Sequence, residues 1–449
     1  MKKITQLAMT AIMLLSSAFS VSAYDFAAGD GSSSNPYQVA SRADLEGIKD
    51  FITSGDAGAT SRGKYFIQIS DIDMSEGLWT PIGTSSSAPF CGNYNGNGYK
   101  ISDIAMDRTP GTSSTTVTYN GLFGCIGAGA VIENVVLDGG IISVTNDAEH
   151  LGGSYVGSIA GYIYNITSGN TIIRNCSSTA TIVNNSLATV YCGGIAGYVR
   201  CGTTGVDGSE ILISNCYYNG TITATESTTT SSTSFSVSGI AAFPYVYTSA
   251  SGPLTIEKCF AAGDIYTGSA NTSARVGGIS GRVYENTTAG ANPLNIRNNV
   301  AAQENIESAG TAHRVYASHN SGGIIDVADN YGYADMLVKG ATETSDDATS
   351  SRGLDKTLAE LQTQATYEAL GWDFTNIWQM EAGDFPTLRD PKGNSGIPVI
   401  VADNDVIVAK RYYNLQGMEI TPETTGIRIV KNIHASGRIS ASKELILKK

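Results

Sequence analysis

The chain has 449 residues, of which 51 are Gly and only 15% are charged, with a formal net charge of −13. Sparse charge with plentiful Gly, Ser, Thr and Asn suits short strands and turns better than helices. The acidic balance lacks the basic footprint that nucleic acid or an anionic membrane surface would need, so neither is expected as a partner.

In chain order, residues 1–23 read as a secretory signal peptide. Lys2 and Lys3 precede a mostly apolar run from Leu7 to Phe19, and Val21-Ser22-Ala23 supplies a small-residue cleavage site. The mature chain is expected to begin near Tyr24 with no Cys there to take a lipid, and no later run is as long and apolar as a membrane span. Residues 24–119 form a lead-in and cap. Within them Ser41 stands as an N-cap before "RADLEGIKDFI", an amphipathic helix of about three turns. Asp71 and Asp73 in "DIDM" are alternating acids without further ligand spacing, so a structural place is expected for them and no metal or other cofactor.

From 120 to 340 the chain repeats. "NGLFGCI" (120–126), "GSIAGYI" (157–163), "GGIAGYV" (193–199), "SGIAAFP" (238–244) and "GGISGRV" (277–283) are variants of one heptad. Downstream of each lies a second phrase: "VIENV" (131–135), "IIRNC" (172–176), "LISNC" (212–216), "TIEKC" (255–259) and "NIRNN" (295–299). A third apolar position follows at Ile141, Ile182, Ile222, Ile265 and Ile306. Three short strands per repeat, with the length variation confined to polar stretches, is the signature of a solenoid with loops of free length. Period-2 alternation puts Ile159, Gly161 and Ile163 on the core side, and Ala160, Tyr162 and Tyr164 outside. Ile173, Ile213, Ile256 and Ile296 should stack, as should Asn134, Asn175, Asn215 and Asn298 at a turn, with Lys258 interrupting the Asn ladder. Cys176, Cys216 and Cys259 recur at one position and are expected to behave as small buried hydrophobes. The seven Cys cannot all pair within one chain. The expected fold is all-β: a right-handed parallel β-helix with short capping helices and a small C-terminal β-sandwich. "TLAELQTQATYEAL" (357–370) reads as the helix of a C-terminal cap and linker spanning 341–395. From Val406 to Lys449 eight Lys or Arg face three Glu, a net of +5 that leaves −18 on the rest and marks a separate unit at 396–449.

These phrases resemble the GLUG-motif repeat family of bacterial, mainly Bacteroidetes, surface proteins. "GDGSSSNPYQVASRADLEGI" (29–48), "YFIQISDIDMS" (65–75), "WTPIG" (79–83), "FCGNYNGNGYKISDI" (90–104) and "NGLFG" (120–124) are similar to that family's lead-in, and "GWDFTNIWQMEAGDFPTL" (371–388) to its closing phrase. The tail, through "YNLQG", "TGIRIV" and "ELILKK", resembles the C-terminal sorting domain of the type IX secretion route. The resemblance implies a protein held on the outer surface, with export machinery as partner of the tail.

Catalysis is not expected. His150, His313, His319 and His434 do not make the H-E-x-x-H of zinc proteases found with some such repeats. Asp138, Asp207, Asp264 and Asp326 are scattered between repeats and supply no acid pair on adjacent outward positions, as glycoside hydrolysis would need. Arg174, Arg200, Arg282 and Arg297 face outward as ordinary solvated charge. The candidate site is an aromatic stripe of Tyr162, Tyr164, Tyr198, Tyr245 and Tyr284, with Tyr247 beside it, spaced at about 4.8 Å per coil to stack on sugar faces. The reading is of an adhesin or glycan-binding repeat protein whose partner is a host or dietary glycan or a surface protein. The same rings could simply pack on one another or lie under long loops, which would leave a structural stalk, and loops could still assemble a lyase or glycosidase site.

Overall fold

The structure, a computed structural model, describes residues 24–52, 55, 58–145, 149–202, 209–225, 234–247, 252–268, 270–286, 294–320 and 325–391, and in the tail 407–413, 419–421, 426–434 and 439–446. The signal-peptide reading lies outside the described residues. The chain divides into two compact units, Met1–Pro391 and Lys392–Lys449.

The first unit is a parallel β-helix. Five stacks of parallel strands run along it: sheets I and II of nine strands each, sheet III of seven with an eighth strand, Ala341–Thr342, added antiparallel at its end, and sheets IV and V of six each. One coil shows the order: Gly153–Gly157 in sheet IV, Ala160–Asn165 in sheet V, Thr171–Arg174 in sheet I, Ser177–Ser178 in sheet II and Thr181–Asn184 in sheet III. Five short strands therefore stand where the sequence suggested three. The heptad is not a single strand, because "GSIAGYI" spans the corner from Gly157 to Ala160. That corner breaks the alternation, so Ile159 and Ala160 are both fully buried.

Ile132, Ile173, Ile213, Ile256 and Ile296 lie in register in sheet I and are fully buried, as the stacking argument requires. In sheet III the stack is Ile142, Ile182, Ile222, Ile265 and Ile306. Ile141 belongs instead beside Thr181 and is 54% exposed, a one-residue correction that swaps the face on which a side chain lies. After each sheet I strand from Val131–Glu133 onward comes one left-handed residue: Asn134, Asn175, Asn215, Lys258, Asn298 and Asp329, with φ between 50° and 58°. Asn and Asp tolerate this conformation, whereas Lys258 bears a cost of about 1–2 kcal/mol. Lys258 thus breaks the amide ladder while keeping its backbone turn. Cys176, Cys216 and Cys259 are fully buried, and burial pushes the Cys176 and Cys216 thiols well up. Among the described residues no disulfide forms, and all seven Cys are buried. Beyond Cys259 the inward place passes to Asn299 and Asn330, whose amides join at 3.0 Å and bond back to sheet I carbonyls.

Both ends of the solenoid are closed. At the first, α1 (Arg42–Gly47) starts at Ser41, which accepts from the Asp44 amide at 3.2 Å, and runs on as a 3-10 turn through Ile48–Phe51, the three turns expected. Its last residue, Phe51, packs against Phe26 and Phe66. At the other, the fully buried Arg314 donates to the carbonyls of Tyr333, Arg352 and Gly353 and to Asp355.

The expected C-terminal cap is a strap along the side. After the last sheet II strand (Leu354–Lys356) come α2 (Leu358–Leu361), capped by a reciprocal Thr357–Glu360 box, and α3 (Gln364–Glu368). The chain then runs back over the outer face of sheet II. Trp372 Nε1 donates to Asn298 O at 2.9 Å, Trp378 Nε1 to Asn215 Oδ1 at 3.2 Å, and Pro391 reaches Gly98 in the early coils. Leu361, Tyr367, Trp372 and Trp378 bury Phe260 and Val300 beneath them. The second unit shows, among the described residues, a single four-stranded antiparallel sheet in the order Glu419–Ile420, Ile407–Tyr413, Gly426–His434, Ile439–Ile446, rather than the two sheets of a sandwich.

Candidate functional site

The tyrosines of the expected stripe come together, but with company and with more burial than a flat stripe would have. Sheet V aligns Cys125, Tyr162, Tyr198 and Phe243 in one row, and Gly127, Tyr164, Arg200, Tyr245 and Tyr284 in the next. Sheet IV aligns Tyr119, Tyr155 and Tyr191. The two sheets fold toward each other on the outside of the solenoid, so their rings meet across a crease: Tyr155 to Tyr162 at 5.3 Å, Tyr155 to Tyr198 at 5.1 Å, Tyr191 to Phe243 at 4.6 Å. These separations suit edge-on and offset ring pairs, each worth about 1 kcal/mol beyond area burial.

The glycine of "IAG" makes the crease possible. A Cβ on Gly161 would stand 2.5 Å from Asn120 N and 2.7 Å from Tyr155 O, and one on Gly197 would stand 2.7 Å from Val156 N. Sheet V therefore lies directly against the backbone of sheet IV at this position, where any side chain would hold the sheets apart.

Depth divides the five candidates. Tyr162 is 3% and Tyr198 7% exposed, and burial pushes both phenols far above their ordinary range. Pointing outward is not the same as meeting solvent when the outside is re-entrant. Tyr164, Tyr245 and Tyr284 are half-buried at the rim, with Tyr245 against Tyr247 at 4.2 Å and Tyr284 at 4.7 Å. Two guanidinium groups, read from sequence as ordinary surface charge, belong to the same cluster. Arg200 lies 4.5 Å from the Tyr247 ring and 5.6 Å from Tyr164; Arg282 lies 5.1 Å from Tyr284 and 5.5 Å from Phe243. Tyr119, Tyr155 and Tyr191 were missed as well. Their signal was a Tyr two residues before each of Gly121, Gly157 and Gly193, visible only once sheet IV is known to face sheet V.

Other candidate residues serve the fold. Asp71 accepts the Lys100 amide and Asp73 the Ser75 amide. Asp138 pairs with Lys100 at 2.7 Å, and Asp264 accepts from the amides of Glu304 and Asn305. Asp207 lies outside the described residues. Arg174 and Arg297 pair with Glu133 at 2.6 Å and Glu257 at 3.0 Å. A cleft of about 290 Å³ lies beside the strap, lined by Lys100, Asn134, Asn175, Tyr217, Gln379 and Arg389 among others.

No protein-family profile matches the chain. It is similar over 148 residues, at 33% identity, to an Evansella cellulosilytica protein provisionally named a Gly-rich membrane protein, covering 32% of this chain and 15% of the relative. Over 156 residues it is 31% identical to halomucin of Haloquadratum walsbyi, covering 33% of this chain and 2% of that one. The chain thus spans a small part of either relative. In three dimensions it is similar to a Bacteroides ovatus protein provisionally described as an immunoglobulin A1 protease, with a TM-score of 0.58, 21% identity, and coverage of 81% of this chain and 95% of the other. That likeness extends to the fold alone.

Proposed function

We propose that the chain is an exported, non-catalytic surface protein that binds glycan along the rim of its aromatic crease, with the β-helix as a rigid support. The observation that carries this is the ladder of half-buried Tyr164, Tyr245 and Tyr284, flanked by Tyr247 and by two arginines, on a scaffold fixed by fully buried Ile stacks. Rings whose faces are partly open offer flat apolar area to a sugar, and their hydroxyls offer donors and acceptors at its edge. The names of the two sequence relatives, a membrane protein and a halomucin, support a place at the cell surface. A tail that engages export machinery and holds the protein outside the outer membrane fits the same picture, as does a GLUG-type repeat identity. Host or dietary glycans are the proposed ligands.

The test is an array of mucin, host and plant glycans probed with the full chain and with a Tyr164→Ala/Tyr245→Ala/Tyr284→Ala variant. Binding that the variant loses at unchanged melting temperature supports the reading. A parent that binds no glycan overturns it and leaves the crease as packing within a stalk, a reading that the mutual stacking of Tyr162 and Tyr198 at 5.0 Å and 6° would then carry.

A further inference from the structure

We infer that the cleft between the strap and sheet II is a second ligand site, built for a neutral, hydroxylated ring of the sugar class; it is separate from the crease and does not rest on the reading above. In sheet II the outward side chains form one row in register: Lys100, Val136, Ser177, Tyr217, Phe260 and Val300. The strap seals this row over Phe260 and Val300 with Trp372 and Trp378. Toward the early coils the row drops from the ring of Tyr217 to the small Ser177, and there the strap offers Gln379 and Thr387 in place of aromatic side chains. The space left between them is the cleft of about 290 Å³, near the lower end of small-molecule pockets at about 300 Å³.

The floor of the cleft presents an aromatic face. Tyr217 stacks on Phe260 at 5.6 Å and 4°, which occupies one side of its ring and turns the other along the row toward Ser177. A half-buried ring with one face open suits the flat apolar side of a sugar. Around it stand neutral polar groups. Ser177 Oγ, the Gln379 side-chain amide and Thr387 Oγ1 make no hydrogen bond among the described residues, so their donors and acceptors are left for hydroxyls of a ligand.

The charged groups at the cleft are already engaged. Lys100 pairs with Asp138 at 2.7 Å, Arg389 donates to Phe374 O at 2.8 and 3.2 Å, and Asp390 has a partner of its own. With its cations and acids committed in this way, the cleft has no spare charge to offer a charged ligand, and a neutral one is selected. The roof is pinned on both sides, by Trp378 on Asn215 at 3.2 Å and by Pro391 against Gly98, so little ordering remains to be lost on binding.

The experiment titrates the full chain with glucose, galactose, mannose and N-acetylglucosamine, beside glucuronate and glucosamine as charged counterparts, and reads binding by saturation-transfer NMR. A neutral sugar should bind at millimolar concentration, more tightly than the charged forms. Ser177→Phe extends the Tyr217–Phe260 stack into the cleft and should abolish that binding without lowering the melting temperature. Gln379→Ala, at an exposed side chain, should weaken it about two- to tenfold, the scale of one neutral hydrogen bond. Tyr164→Ala/Tyr245→Ala/Tyr284→Ala, which strips the rim of the crease, should leave it unchanged. Binding that survives Ser177→Phe, tighter binding of a charged sugar, or no neutral sugar bound at all overturns this inference. A sugar held by the crease alone would be lost in the tyrosine variant and kept in Ser177→Phe, so the two readings fail separately. Should Ser177→Phe not fold, Gln379→Ala decides: weaker binding at an unchanged melting temperature supports the cleft, and equal binding overturns it.

Discussion

Two outward faces of the same solenoid are covered in opposite ways. Over sheet II the strap brings Leu361, Tyr367, Trp372 and Trp378 from far along the sequence to bury Phe260 and Val300. Over sheets IV and V no segment among the described residues is laid on the rings; the two sheets cover each other, and the rings are tyrosines interleaved with arginines. The difference lies in what the covered side chain must do at its far end. Phe and Val ask only for apolar neighbours, so a lid removes them from water completely. Tyr and Arg keep polar ends that cost free energy when sealed away, so a crease that shuts at its floor and stays open at its rim suits them. One face is finished as core, while the other keeps a half-buried rim.

Alkali should load both faces, the strap through the buried Tyr367 and the crease more strongly through two phenols. The Tyr162 and Tyr198 phenols are held far above the ordinary value of about 10 by burial, so their contribution is intact below pH 10. Above it the unfolded chain releases protons that the folded crease retains, and stability falls as pH rises, by about 5 kcal/mol for the two together near pH 12. Denaturant melts from pH 8 to 12 read this directly, and a Tyr162→Phe/Tyr198→Phe variant should be less sensitive. Next in size is the strap. Trp378→Ala removes a fully buried indole and should cost about 3–5 kcal/mol, seen in chemical unfolding, with faster proteolysis of residues 357–391. Gly161→Ala forces a methyl against Asn120 N and Tyr155 O and should cost about 1–3 kcal/mol while changing tyrosine near-UV dichroism, because it pries the crease apart. The smallest effect belongs to the surface: Arg174→Ala beside Glu133, in an exposed pair, should shift stability by less than about 1 kcal/mol in the same melts. If Gly161→Ala costs no more than Arg174→Ala, the crease is not held as described.

How much of this could be seen in advance follows from distance along the chain. The Ile stack of sheet I and the left-handed Asn turn were legible because each coil repeats them at a fixed offset. Lys258 shows the limit, since its residue type broke the ladder while its backbone kept the turn. Ile141 was misplaced by one residue because "IIS" offers two isoleucines and only the register with Thr181 and Ile182 chooses between them. The strap was mistaken for an end cap because helix signals in "TLAELQTQATYEAL" say nothing of direction. Its course depends on contacts such as Trp378 to Asn215, 163 residues apart. For the candidate site, alternation gave the outward side of each tyrosine, yet depth depended on an angle between two sheets set by Gly161 and Gly197. No period in one strand records that angle.

The route of the strap also has a mechanical meaning. Because the chain leaves the last coil and returns to Gly98 before residue 392, a pull on the C-terminal end would first load Pro391, beside the early coils, rather than the final strand at Leu354–Lys356. Tension would then peel the strap from its trailing end, freeing Phe385, Trp378, Trp372 and Leu361 in turn before any coil is stretched. Each buried anchor of the strap would then have to part before load reached the final strand.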